Sequence, residues 1–270
     1  MCDVVWVSDS QVGATTKGVR TVKVTVMGAS GLIGTLLVEL LTHEGEDVVA
    51  ASRRSGADVL SGAGLAKALA GADTLVDVTN SPTFDNDEVM DFFVRSSTNL
   101  VAAARAAGVG HYVALSIVGV DALPNSGYMR AKAAQERIIT SSGLPYTIVR
   151  ATQFGEFAPA IVESMSVKTD ADEDDEVDVR VPDALIQPIA ADEVAAFLAE
   201  VAISPPRNHV VNIGGPEKIS FARLAREVLA IRHDDQRVVV DRQATYFGTT
   251  LQKDSLVTGT GAMIASIPFC

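Results

Sequence analysis

The chain alternates short β-branched apolar runs with longer stretches in which apolar positions recur at helical spacing. Residues 22–27 (VKVTVM), 48–52 (VVAAS), 74–79 (TLVDVT), 111–116 (HYVALS) and 146–150 (YTIVR) are brief and largely apolar, as strands buried on both faces of a parallel sheet must be. Between them, residues 32–43, 65–69, 88–107 and 128–140 carry the helical pattern, and Gly108 with Gly110 stops the longest of these. Strict β-α alternation predicts an α/β fold: a doubly wound parallel sheet of the Rossmann type with right-handed crossovers. After Arg150 the regularity loosens. Short strands at 177–181 and 210–213, with helices at 191–202 and 220–231, are expected to build a small C-terminal lobe that covers the sheet and the substrate.

The first strand runs directly into Gly28-Ala29-Ser30-Gly31-Leu32-Ile33-Gly34, which opens the first helix. Glycines in that strand–turn–helix context form a dinucleotide fingerprint. Gly28 permits the tight turn, Gly31 lets a pyrophosphate approach the backbone, and Gly34 lets helix and strand pack closely. The helix N-terminus, with Ser30, Leu32 and Ile33 around it, offers free N–H groups to the anion. Where an acidic residue would bind the ribose 2′-hydroxyl of NAD, the second strand ends in Ser52-Arg53-Arg54. Two guanidinium groups suit a 2′-phosphate, so NADP is expected and NAD is the poorer fit. Thr79-Asn80-Ser81-Pro82 closes the third strand at its carboxyl end, the edge along which parallel sheets hold ligands, and is expected to line the cofactor.

Ser116 ends the fourth strand, and Tyr128 and Lys132 then fall one helical turn apart on one face. A phenol beside an ammonium is a proton-transfer pair: Lys132 is expected to lower the phenol pKa, and Tyr128 to protonate a substrate oxygen as hydride arrives at carbon. Taken together, GASGLIG at 28–34, SRR at 52–54, DVTNSP at 77–82, ALSIVGVD at 114–121, GYMRAKAAQE at 127–136, PYTIVRATQF at 145–154 and QPIAADEVA at 187–195 resemble an atypical short-chain dehydrogenase/reductase of the NmrA-like type, a group that includes isoflavone-reductase-like enzymes. The resemblance spans roughly residues 21–260. It implies a Rossmann domain that binds NADPH and holds substrate against a C-terminal lobe. It also implies roles for Lys132 at the nicotinamide ribose or in catalysis, Tyr128 as catalytic tyrosine and Ser116 as the serine that orients a carbonyl. Thr152, Gln153 and Phe154 follow the strand whose end flanks the nicotinamide. The same group contains redox-sensing regulators without turnover, so a non-catalytic NADP-sensing protein stands as the alternative to a reductase of a small carbonyl or activated alkene.

Composition narrows the partners. A formal charge of −12 argues against nucleic acid, because neutralising phosphates needs clustered Lys and Arg. The acidic run at 170–176 (DADEDDE) reads as a solvated loop. No stretch approaches the ~20 apolar residues of a membrane span. Cys2 and Cys270 stand far apart without a CxxC pattern, which together with the acidic start predicts a cytoplasmic setting. His43, His111, His209 and His233 lack metal-ligand spacing, so no metal is expected, and no GxSxG motif points to hydrolysis. The expected organisation is an N-terminal extension at 1–20, a dinucleotide-binding core at 21–155, and at 156–270 the remaining Rossmann elements with the substrate-covering lobe. The partner is expected to be a small-molecule substrate, with the oligomeric state left open. From about Arg237 the pattern carries no chemistry, and Tyr246-Phe247-Gly248 is assigned nothing beyond lobe core.

Overall fold

The computed structural model describes residues 21–168 and 177–269. The N-terminal extension, the acidic run and both cysteines lie outside them. In chain order the elements are β1 (Lys23–Met27), α1 (Leu32–His43), β2 (Asp47–Ala51), α2 (Leu65–Ala68), β3 (Thr74–Asp77), α3 (Asn86–Ala107), β4 (His111–Ile117), α4 (Gly127–Thr140) and β5 (Tyr146–Ala151). They continue with α5 (Ala158–Glu163), β6 (Ser166–Lys168), β7 (Val177–Val181), β8 (Leu185–Ile186), α6 (Ala191–Ile203), β9 (His209–Gly214), β10 (Ile219–Ser220), α7 (Phe221–Arg232), β11 (Arg237–Val240), β12 (Thr245–Tyr246), β13 (Thr249–Thr250) and β14 (Met263–Ile264).

Seven parallel strands form the central sheet in the order β2-β1-β3-β4-β5-β9-β14. Side chains alternate between its faces, as the two-residue period of a strand requires. Val24 and Val26 of β1 pack with Leu37 and Leu41 of α1 and with Val194 and Leu198 of α6. Met27 points the other way, toward Leu65 of α2, Leu100 of α3 and Ile139 of α4. The strand order reverses between β1 and β3, and a doubly wound sheet opens its ligand crevice at the carboxyl ends of such a pair. The glycine turn follows β1 and Thr79-Asn80 follows β3, so both segments reach that crevice.

The region expected to hold both the remaining Rossmann elements and the lobe divides as follows. Residues 191–202 and 210–213, assigned to it from sequence, belong to the sheet layer: β9 pairs with β5 over five positions, and α6 packs against α1. Val211 and Ile213 of β9 complete the apolar face that covers α1 and α6, which is why the chain returns to the sheet. The lobe itself consists of the β6-β7-β11 sheet, α5, α7, the short β8–β10 pair and the β12–β13 hairpin. Its own core is built from residues such as Phe221, Leu224, Val228, Val179 and Tyr246.

Candidate functional site

The three glycines of the turn have different physical reasons. Gly28 has φ +94°, and a β-carbon there would lie 2.9 Å from the carbonyl oxygen of Val78, so the approach of β1 to β3 leaves no room for one. At Gly34 a β-carbon would come within 2.2 Å of the Gly28 oxygen, which ties this glycine to helix packing. Gly31 is different. Its φ is −86° with extended ψ, and a β-carbon would meet only the Gly28 oxygen, at 3.4 Å. The fold therefore does not require glycine at 31, and the missing side chain leaves an exposed cradle. Gly31 also N-caps α1 with no side-chain hydrogen bond, leaving the first-turn amides facing out of the helix end. Leu32 is exposed, whereas the Ile33 side chain is buried in the sheet core, so Ile33 can offer only its amide. Ser30 is exposed at the tip.

Arg53 and Arg54 begin a single 3-10 turn after β2, fixed by the reciprocal hydrogen bonds of Ser52 and Ser55. Both are exposed, and neither makes a salt bridge among the described residues. Arg53 helps to hold the Asp58 carboxyl low, although the hydrogen bond from the Leu60 amide does most of that. Past β3, Thr79 donates from its amide and hydroxyl to Asp77 Oδ1 at 3.0 and 2.7 Å. The Asn80 carboxamide oxygen accepts from the Ser81 amide and, at 3.1 Å, from the Tyr128 hydroxyl.

Ser126 N-caps α4, accepting from the Met129 amide, and so sets Tyr128 in the first turn. The structure joins Tyr128 to Lys132 through Phe93: the ammonium lies 4.6 Å from the Phe93 ring centre, and the Tyr128 ring meets Phe93 edge-on at 5.9 Å. Lys132 is 4% exposed and donates to the Leu115 carbonyl at 2.8 Å and to Gln135 Oε1. Gln135 passes on a hydrogen bond to the fully buried Asp77, which also accepts from Tyr112. Burial pulls Lys132 down to about 8, against the charges of Asp77 and Glu136. The Tyr128 phenol moves opposite to the sequence expectation. Burial pushes it up to about 12, outweighing the Asn80 hydrogen bond, and Lys132 does not offset it. The phenol thus stays protonated across the ordinary pH range but is a weaker acid than a free one, so it can give up its proton only to an oxygen that gains negative charge.

Ser116 is buried, and its hydroxyl donates to Glu136 Oε1 at 2.5 Å. Arg150 forks onto both oxygens of the same carboxylate and reaches Asp121 at 2.7 Å. The serine thus belongs to an ion-pair cluster beneath α4. At the end of β5, Thr152 is buried and accepts from the Gly215 amide, and the Phe154 ring lies against Phe157. Gln153 is 6% exposed, yet among the described residues neither its side-chain nitrogen nor its oxygen has a hydrogen-bond partner. Nearby Gln187, by contrast, donates to Gly215 and accepts twice from Thr258. A buried primary amide is costly to leave unpaired, which marks Gln153 as a candidate to meet a polar ligand.

Sequence reasoning missed Asp77, Phe93, Gln135 and Glu136, which hold the lysine and serine in place. Gln135 stood one turn from Lys132 and was the legible signal among them. The aromatic side chains around Tyr128 were missed as well. Phe84 lies 5.5 Å and Phe247 6.1 Å from the Tyr128 ring, and 5.2 Å from each other. Tyr246 is lobe core, packed on Phe221, as read from sequence, but Phe247 is exposed and faces the site.

A glycine turn at a helix N-terminus, exposed arginines after β2 with no salt bridge among the described residues, and a buried amide after β5 all lie at the carboxyl ends of parallel strands. Fold and site together define a Rossmann dinucleotide-binding protein. A family model described as NAD(P)H-binding matches residues 28–205, and the chain belongs to that family. Among curated proteins it is similar to a (4-alkanoyl-5-oxo-2,5-dihydrofuran-3-yl)methyl phosphate reductase of Streptomyces griseus, 32% identical over 142 residues, which are 48% of this chain and 47% of that protein. It is also similar to the photosystem II assembly factor Ycf39 of Synechocystis, 25% identical over 164 residues, which are 54% and 50% of the two chains. The chain thus spans about half the length of these relatives. Among solved structures it shares its fold with MoeE5 in complex with UDP-glucose and NAD, at a TM-score of 0.66 and 20% identity, covering 84% and 87% of the two chains. The Escherichia coli quinone oxidoreductase QOR2 complexed with NADPH gives 0.58 and 20%, covering 81% and 77%. Among the described residues no helix is long and apolar enough to cross a membrane.

Proposed function

We propose that the protein is an NADPH-dependent reductase of a small carbonyl or activated alkene. The observation that carries this reading is the placement of Tyr128: a phenol at the carboxyl edge of a dinucleotide-binding sheet, its hydroxyl donating at 3.1 Å to Asn80 in the loop after β3. Bound NADPH supplies hydride there. Gly31 and the first-turn amides of α1 take the pyrophosphate, Arg53 and Arg54 the 2′-phosphate, and Gln153, with Thr152 and Phe154, the nicotinamide end. Asn80 Oδ1 holds the Tyr128 proton until a substrate oxygen replaces it as acceptor. Lys132 contributes a positive charge to the cofactor ribose and the developing oxyanion. Ser116 acts as a positioning residue through Glu136, in place of the carbonyl-orienting role its sequence position suggested. The named reductase from Streptomyces griseus supports a catalytic reading. The other reading, a cofactor-sensing protein without turnover, draws only on Ycf39 being named as an assembly factor and not as a reductase. Loss of NADPH absorbance across a panel of quinones, enones, aldehydes and ketones separates them, since a protein that binds NADPH and oxidises it with none of these is not the proposed reductase.

Two further results are expected. Replacing both Arg53 and Arg54 by Ala should weaken NADPH binding by about 2–4 kcal/mol, from two charge-assisted contacts, and change NADH binding little. Calorimetric titration checks it, and equal losses for the two cofactors would remove these arginines from the 2′-phosphate. The pH dependence follows from Lys132. Its charge is present below about 8 and lost above it, while Tyr128 keeps its proton to about 12. kcat/KM, which reports the free enzyme, should therefore be level below about 8 and fall as pH rises past it. A profile that rises through this region would contradict a role for the lysine charge.

A further inference from the structure

We infer that Phe84 and Phe247 form a two-sided aromatic slot over Tyr128 that takes an uncharged, planar, conjugated acceptor. The inference rests on the reductase reading and names the substrate class of that site. It begins with a residue the local backbone does not favour. Phe247 and Gly248 are the two turn residues between β12 and β13, with φ +47° and +72°. A two-residue turn with both φ values positive selects Asn and Gly, and a bulky side chain at the first position is an outlier. Within the hairpin the ring meets Tyr246 edge-on at 4.6 Å, a contact that places one edge of Phe247 on the lobe core and leaves its face turned outward. Burial does not account for the strain, since Phe247 is 43% exposed and Phe84 57%.

What the Phe247 ring touches is the site. It lies nearly parallel to Tyr128, at an interplanar angle of 23°, and tilts against Phe84 by 35°. Three segments distant in sequence, namely the loop after β3, the first turn of α4 and the β12–β13 hairpin, thus each bring a ring to one point. Strained backbone concentrates where function over-determines it, and here the strained residue faces the proposed proton donor. The Phe84 and Phe247 ring centres are 5.2 Å apart. Admitting one flat group between them requires about 7–8 Å, two layers at the optimal 3.5–4.0 Å carbon separation. Both rings sit on exposed segments, and a flat π system replaces the ring–ring contact it displaces. A puckered saturated ring needs a wider gap and has no face to stack. The net charge of −12 disfavours an anionic acceptor. A carbonyl on the rim of the stacked group then reaches Tyr128 Oη in place of Asn80.

The test is calorimetric titration of the full chain with NADP+, and without it, using 1,4-naphthoquinone as the flat probe and 1-decalone as a puckered ketone of the same carbon count. No hydride is available, so binding is read apart from turnover. Naphthoquinone should bind at least about tenfold tighter than decalone, and Phe84→Ala or Phe247→Ala should each reduce that preference by about tenfold, the scale of a lost aromatic contact and its buried area. Phe247→Asn suits the positive φ and removes the ring, so relief of strain offsets the lost edge contact with Tyr246; it should keep native circular dichroism, melt within a few degrees of wild type and still lose the preference, which excludes misfolding as the cause. Equal affinity for the two probes, or wild-type preference in both alanine variants, overturns the slot. The two readings fail separately. Ring-dependent binding of naphthoquinone without NADPH oxidation by any acceptor sinks the reductase and leaves the slot. Turnover of carbonyl substrates by a protein whose probe preference ignores both phenylalanines does the reverse.

Discussion

Replacing Tyr128 by Phe is expected to lower turnover of a competent substrate by about 10²-fold or more while leaving NADPH affinity nearly unchanged, the size of a lost general acid. The change removes one hydroxyl and keeps the ring against Phe84, Phe93 and Phe247, so the walls of the site stay in place. The lost hydrogen bond ends on Asn80, which is exposed and can bond water, so the fold should be little affected. Lys132→Met should behave differently. The lysine is buried, bonded to Leu115 and Gln135, and balances Asp77 and Glu136, so its removal leaves buried acceptors unpaired and lowers the melting temperature as well as cofactor affinity and rate. The contrast between the variants is the informative quantity. Single-turnover rates and NADPH titrations measure it, and a Tyr128→Phe protein that reduces substrate at the wild-type rate would hand the proton to Lys132 or to water. Under a sensing function, Tyr128→Phe should leave cofactor binding alone and Lys132→Met should weaken it, with no rate to change.

The parallel sheet was legible because its evidence is local. Each buried strand announces itself as a short β-branched run, and each crossover as a helical stripe with its stop, such as Gly108, which caps α3 in the left-handed conformation at φ +71°. The position of residues 28–34, 53–54 and 79–80 at the carboxyl edge of the sheet was legible for the same reason, since each directly follows a strand. Interactions between distant segments were not. Nothing near residue 210 says that β9 returns to lie beside β5, because a four-residue apolar run looks alike in a lobe and in a sheet. The direction of the Tyr128 shift was misread because a YxxxK spacing shows charge proximity but not burial, and burial is the larger effect here. Ser116 was placed correctly along its strand, but its partner came from α4 and its counter-charge from β5. Phe247 is the extreme case. Its meaning lies in a backbone angle and in rings contributed by residues 84 and 128, and neither shows in a window around residue 247.

Substitution of two glycines in one turn should separate binding from folding, and the outcomes are opposite. Gly31→Val is expected to raise the Kd for NADPH by about a hundredfold or more while the protein keeps its native circular dichroism and melts within a few degrees of wild type. The backbone at 31, with φ −86° and ψ 175°, is one that valine adopts readily, and the nearest atom to its β-carbon is the Gly28 oxygen at 3.4 Å. The added methyl groups therefore meet little protein and stand where a pyrophosphate approaches the α1 amides. Gly34→Ala adds a single methyl, yet it would lie 2.2 Å from the Gly28 oxygen and 2.7 Å from the Ala29 Cα, both of them backbone atoms that side-chain movement cannot clear. Helix α1 must shift away from β1, at a cost of about 1–3 kcal/mol or more by the usual scale of overpacking. That variant should melt lower, and its cofactor affinity should drop only as far as the displaced helix end spoils the anion site. Thermal melting and calorimetric titration on the two proteins decide the matter. If Gly31→Val bound NADPH normally, the pyrophosphate would lie elsewhere; if it unfolded, the cradle would be a requirement of the fold and no argument for a ligand.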